Sequence, residues 1–334
     1  MGETMVNRHG LLALAVLALS ASTTANAYEF GWPGAEQKPG LVIGAAAAAP
    51  PPGLYGFDQV FHYQAKLVGP GAPVGPNGQA TTVKGDVAAQ GILWVPGWTF
   101  LGGTYGVVGV VPVNSGVVGS PINVTPEGVH NPFIANELSW RLGDSGFFVK
   151  AGLGIYVPIG TTTGFNKLES FGDPWWTFQP NLVISYLKDG WNLTVNLFDE
   201  IHTKNPITQY QSGDIFHAEF TATKSIGNWT FGPVGYYVGQ ITNDRSSAFY
   251  GNAINVNRYD IWAAGALVGY NFGPVQLNVW GTQEFSARAS GGTAGPPGID
   301  TAAVAKGFTA FAQLSYRLWA PEAPVSPTRP LYRK

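Results

Sequence analysis

Trp191-Asn-Leu-Thr-Val-Asn-Leu-Phe-Asp-Glu-Ile-His202 alternates apolar and polar side chains with a period of two. Trp191, Leu193, Val195, Leu197 and Ile201 fall on one side, with Asp199 the exception, while Asn192, Thr194, Asn196, Glu200 and His202 fall on the other. A period of two places alternate residues on opposite faces of an extended strand, so this stretch reads as a strand with one greasy and one wet face.

The pattern repeats on both sides of that stretch. In 275–288, Val275, Leu277, Val279, Phe285 and Ala287 oppose Gln276, Asn278, Thr282, Glu284 and Arg288. In 308–318, Phe308, Ala310, Ala312, Leu314, Tyr316 and Leu318 oppose Thr309, Gln313, Ser315 and Arg317. Similar strands fit 55–67, 83–95, 133–142, 147–157, 176–187 and 215–225, and less cleanly 99–113, 229–241 and 258–271. The expected fold is therefore all-β, a transmembrane antiparallel up-and-down β-barrel of about 12 strands, an even number that returns both ends to one side of the membrane.

The connections support this reading. Every second one is short: 96–98, 143–146, 188–190, 226–228 and 272–274. Those between, at 114–132, 158–175, 242–257 and 289–307, are long. Short periplasmic turns alternating with long outer loops are the mark of an outer-membrane barrel. Trp98, Trp140, Tyr186, Trp191, Trp229, Tyr270 and Trp319 all lie near a short turn or the last strand end, as an interfacial aromatic girdle requires.

Residues 1–27 read as a cleavable signal peptide, with Arg8 and His9 ahead of the apolar run 11–19 and Ala25-Asn26-Ala27 at the cleavage site. The barrel is expected over 53–319 and a Pro-rich tail over 320–334. Between signal and barrel, 28–52 contains Ala45 to Ala49 followed by Pro50-Pro51-Pro52. It reads either as a periplasmic leader or as a lumen plug; extended Pro-rich backbone needs no partner, which favours the leader.

Composition narrows the function classes. The 334 residues carry a formal net charge of −2, no Cys, 45 Gly and 11 Trp. That balance does not suit a nucleic-acid partner, and without cysteines no disulfide framework supports the fold. After residue 27 no apolar stretch approaches the roughly 20 residues of a spanning helix, so any membrane crossing is made by strands. A soluble sandwich or lipocalin-like barrel also alternates its faces. Strands of about 10 to 15 residues exceed the usual ~5 to 6 of soluble proteins, and ionisable residues recur deep within them.

Four segments, Gly103-Thr-Tyr-Gly-Val with Pro112 beyond it, Gly154-Ile-Tyr-Val-Pro-Ile-Gly160, Gln209-Tyr-Gln-Ser-Gly-Asp214 and Gly235-Tyr-Tyr-Val-Gly-Gln-Ile-Thr-Asn-Asp244, give the chain a further likeness. From about 101 to 319 it resembles the outer-membrane transporter family named for the meta-pathway of phenol degradation. The resemblance implies an outer-membrane barrel that accompanies aromatic-compound degradation and admits hydrophobic molecules, with no defined catalytic residues. Barrels of this sort commonly end on an aromatic residue, whereas here a tail follows Trp319, which points to an internal signal for the barrel-assembly machinery.

With polar residues turned inward, parity lines the lumen with Asp58, His62, Lys66, Lys84, Asp86, Glu137, Arg141, Lys150, Glu200, His202, His217, Glu219, Glu284, Arg288 and Arg317. Mixed signs predict weak ion selectivity, or pairing across the lumen that stiffens the wall. The aromatics expected inside are Trp94, Phe148, Tyr156, Trp175, Phe198, Trp280 and Phe311, either as an apolar track or as filling for a barrel of this size. No Gly-x-Ser-x-Gly, His-Glu-x-x-His or phosphate loop is present, so neither catalysis, metal nor cofactor is expected. Asn123-Val-Thr125 fits a glycosylation pattern that has no meaning in a bacterial setting. The expected role is passive uptake of small hydrophobic or aromatic molecules in contact with outer-membrane lipid. The alternative is a closed structural or surface-interaction barrel that works through its long loops.

Overall fold

A computed structural model of the chain describes residues 29, 32, 34–162, 168–169, 171–252, 258–291 and 302–321. The signal peptide expected over 1–27 and the tail from 322 onward lie outside them. The strands are β1 (Gly53–Val68), β2 (Thr82–Val95), β3 (Thr99–Phe100), β4 (Gly103–Val118), β5 (Glu127–Val129), β6 (Phe133–Arg141), β7 (Phe147–Tyr156), β8 (Thr177–Lys188), β9 (Trp191–His202), β10 (Ile215–Ile226), β11 (Trp229–Gln240), β12 (Arg258–Asn271), β13 (Val275–Ser290) and β14 (Val304–Trp319). Apart from the short β3 and β5, each pairs antiparallel with its neighbours. The pairings of β1 with β14 and of β2 with β4 close the sheet into a 12-strand barrel. Closure is what leaves no strand edge unpaired in lipid.

The expected third strand differs in detail. Residues 99–104 form a tight hairpin in which Thr99 pairs with Thr104, turning through Leu101 and Gly102 at φ 50° and 75°. Two consecutive positive φ values are what a two-residue hairpin needs. The spanning strand therefore starts at Gly103 and runs to Val118.

At the short-turn end, Trp98, Trp191, Trp229 and Trp319 are exposed on the outer wall. Trp229 meets Tyr270 edge-on at 4.7 Å, and Phe147 meets Tyr186 at 5.1 Å. Amphipathic rings at one level of the wall suit the headgroup interface.

Candidate functional site

Of residues 28–52, read from the sequence as a leader or a plug, 34–50 lie inside the barrel. The leaning toward a leader is corrected by the hydrogen bonds of their backbone. Glu36 and Gln37 donate their N–H groups to the Glu200 carboxylate at 3.0 and 2.9 Å. Gly40 and Val42 donate to Glu219 at 2.7 and 3.0 Å, Gly44 to Thr221 Oγ1 at 2.9 Å, and Ala47 to Ser185 Oγ at 2.8 Å. Carbonyls of the same run are met from the wall: Trp280 Nε1 donates to Gly40 O, Gln59 Nε2 to Leu41 O and Asn192 Nδ2 to Gly44 O. The segment's own turns satisfy Leu41 and Ala45, whose N–H groups donate to the Lys38 and Val42 carbonyls at 3.3 and 3.1 Å, and the inward polar residues of the wall take the N–H groups that these turns leave over.

The order of contacts gives the path. Glu29 accepts from Asn205, Thr208 and Tyr250 in the outer loops, Glu36 and Gln37 meet the outer end of β9, and Ala47 meets Ser185 near a short turn. The segment thus runs down the lumen from the long-loop mouth and joins β1 at the periplasmic end. Gly40, at φ 93°, lies where an added Cβ would stand 3.1 Å from the Tyr236 ring, so only glycine fits both the backbone and the gap.

Across from β9 and β10, Glu284 takes four donors: Lys38 Nζ at 3.1 Å, Tyr236 Oη at 2.6 Å, Tyr63 Oη at 2.9 Å and the Gly307 N–H at 2.6 Å. A buried carboxylate is tolerated only with such company. Lys38 also sits 4.0 Å from the centre of the Tyr63 ring.

Of the residues expected in the lumen, Glu137, Lys150, Glu200, His202, His217, Glu219 and Glu284 face inward, and Lys150 pairs with Glu137 at 3.0 Å. Phe148, Tyr156, Phe198, Trp280 and Phe311 share those inward faces, and Trp175 is buried against Trp32 and His202. Trp280 stacks on Phe311 at 5.0 Å and Phe198 on His217 at 4.4 Å, so these rings pack around the segment. Arg141 and Arg317 stand exposed at the short-turn end.

Asp58, His62, Lys66, Lys84, Asp86 and Trp94 face outward, which corrects the expectation for β1 and β2. The inward set there is Tyr55, Phe57, Gln59, Phe61, Tyr63 and Leu67 from β1 with Val83, Val87, Ala89, Leu93 and Val95 from β2. Alternation is intact but its sense is reversed, because this part of the wall encloses an apolar space. Outside, His62 Nδ1 lies 2.7 Å from Asp86 Oδ1, and Gln90 and Tyr316 both donate to Asp58 at 3.0 Å. Arg288 is also outward, bonded to Asp260. On β13, Glu284 pairs with Ala263 but Ser286 with Trp262, so Phe285 is an extra residue that resets parity for everything after it.

The apolar space is one side of a cavity of about 730 Å³ around the segment: apolar residues prevail toward β1, β2 and β4, while Glu137, Lys150, Gln179 and Asn181 line it farther round. Phe57, Phe61, Leu93, Val108 and Phe133 line it, with Ala45, Ala48 and Pro50 of the segment opposite. Phe57 lies flat over Gly91, where a Cβ would come within 2.0 Å of its ring.

At the outer mouth, Asp244 accepts from Tyr210 Oη at 2.6 Å, the Gly213 N–H at 2.7 Å and Gln240 Nε2 at 2.7 Å. The segments 209–214 and 235–244 thereby clasp two outer loops. Beside them, burial pushes the Glu36 carboxyl up to about 8 and Asp173 well above the ordinary carboxylate range, and pulls the His130 imidazole down to about 4. Sequence reasoning passed over these three, which are far apart in the chain and show no ligand spacing.

A closed 12-strand sheet with an aromatic girdle and a lumen threaded by a segment of the same chain defines an outer-membrane β-barrel of channel architecture. The family described as "Putative MetA-pathway of phenol degradation" matches residues 69–295, and the chain belongs to it. In structure it is similar to the COG4313 outer membrane channel from Pseudomonas putida F1, at 12% identity and a TM-score of 0.66, covering 82% of this chain and 98% of that one. More distant likenesses are a FadL homologue from Pseudomonas aeruginosa (9% identity, TM-score 0.43, 88% of this chain and 98% of that one) and the translocator domain of the autotransporter NalP from Neisseria meningitidis (10%, 0.44, 81% and 90%). No curated protein sequence matches the chain.

Proposed function

We propose that the protein is a passive outer-membrane channel for small hydrophobic or aromatic molecules, which it holds on the apolar side of the cavity around the lumen segment. The observation that carries this reading is the cavity itself: about 730 Å³, walled by Phe57, Phe61, Leu93, Val108 and Phe133. That volume falls within the range of about 300 to 1,000 Å³ in which proteins enclose small apolar ligands. Where polar groups of the wall meet the segment they are engaged by it, so water-soluble solutes find few free partners there. Transport of this kind is passive and needs no catalytic group.

Liposomes carrying the protein should take up phenol-like compounds faster than protein-free liposomes. Val108→Trp, which fills the cavity, should reduce that uptake while leaving the heat-modifiable barrel intact. Equal uptake by protein-free vesicles ends the reading. The hydrogen-bonded segment favours a second one, a closed barrel acting through its outer loops, and a sealed bilayer together with loss of surface binding on loop deletion would support it.

A further inference from the structure

Glu36, His130 and Asp173 stand far apart in the chain and together in space. Glu36 comes from the lumen segment, His130 from the approach to β6 and Asp173 from the approach to β8. One donor atom from each lies within 4.8 Å of the others, and all three residues are buried. Glu36 Oε2, His130 Nδ1 and both carboxyl oxygens of Asp173 find no hydrogen-bond donor among the described residues. His130 Nδ1 is 3.5 Å from Glu36 Oε2, and the contact between the two carboxyls becomes a hydrogen bond only when a proton sits between them.

The surroundings hold the donors in place. Glu36 Oε1 is taken by Thr177 Oγ1 at 3.0 Å, which leaves Oε2 directed at the other two groups. Asn131 Nδ2 donates to the Asp173 carbonyl at 2.9 Å, and its Oδ1 accepts from the Gly160 N–H at 3.1 Å. Trp32 and Trp175 pack edge to face at 5.4 Å nearby, and Tyr156 lies against His130. Oriented ligands inside an apolar shell are the setting in which metal ions are bound tightly.

We propose that Glu36, His130 and Asp173 hold a divalent transition-metal ion, with Zn²⁺ the best fit, and that the ion fastens the outer end of the lumen segment to two wall approaches. A neutral imidazole with two carboxylates carries a charge of −2 that a divalent ion cancels, whereas each charge alone in this place is costly. The nitrogen donor excludes a preference for Ca²⁺ or Mg²⁺, and three protein ligands with one open position suit Zn²⁺. Zn–ligand bonds of about 2.0–2.1 Å require the donors to close up by roughly an ångström. The site does not depend on the transport reading.

The test uses the full chain purified in detergent, stripped with a chelator and titrated with Zn²⁺ by calorimetry, with bound metal counted by mass spectrometry. The expected result is one ion per chain. Asp173→Asn, which keeps shape, and His130→Ala should each weaken binding by about 10- to 100-fold. His62→Ala, on the outer face of β1, should leave it unchanged. Absence of stoichiometric Zn²⁺ in the unaltered protein overturns the proposal, and so does full affinity in Asp173→Asn. Heat-modifiable migration checks that each variant is folded, and the titration of the unaltered protein decides even where a variant is not.

Discussion

Strands β9 and β10 turn Glu200, His217, Glu219 and Thr221 inward, whereas β1, β2 and β4 turn Phe57, Phe61, Val87, Leu93 and Val108 inward. The first wall faces a peptide backbone and supplies acceptors for its N–H groups. The second faces a cavity and carries its charged residues outside, where His62 and Asp86 pair with each other. Both walls alternate with period two, and both are membrane strands. On the inner face, what the strand meets, a peptide backbone or a cavity, decides its polarity.

Removing the occupant of the polar wall should have the largest effect. Deletion of 34–49 should raise single-channel conductance several-fold, because the groups that line β9 and β10 would then face water. Unchanged conductance would mean that the segment does not obstruct the lumen in a bilayer. Gly40→Val should act in the same direction, since it forces a side chain against Tyr236 at a backbone angle suited to glycine.

A second experiment sets the two walls against each other. Glu219→Leu strips the Gly40 and Val42 N–H groups of their acceptor and should cost about 2 to 5 kcal/mol, read from unfolding in detergent. Replacing the exposed His62 with Ala should change the same midpoint by less than about 1 kcal/mol. If the two costs are equal, the polar wall does not hold the segment.

The smallest contrast comes from adjacent residues on opposite faces of β4. Val108→Asp places a charge in the cavity and should lower aromatic uptake while the barrel still assembles. Val107→Asp places it on the lipid side and should reduce assembly by roughly 1 to 3 kcal/mol while leaving the uptake of assembled protein unchanged. The same outcome for both would contradict the facing assigned to this strand.

Strand number and the alternation of short and long connections were legible because each is local: a period of two and a Gly-rich turn announce themselves within a dozen residues. The direction of each face was not. Parity in 55–67 and 83–95 is clear, yet nothing in those residues says that the apolar set encloses a cavity. Arg288 was misplaced by a single extra residue at Phe285, which no composition signal marks. The lumen segment finds partners 138 to 179 positions away at Ser185, Glu200, Glu219 and Thr221, so 28–52 taken alone reads as a leader as readily as a plug. Glu36, His130 and Asp173 were missed for the same reason.

The lumen segment is joined to the wall at Gly53, at the end of the barrel that carries the short turns. A cord knotted on the inner side of a doorway can be drawn back only into the room where the knot is. Any movement that clears this passage while the barrel stays whole must therefore carry the segment out toward the short-turn end, where it is tethered to β1.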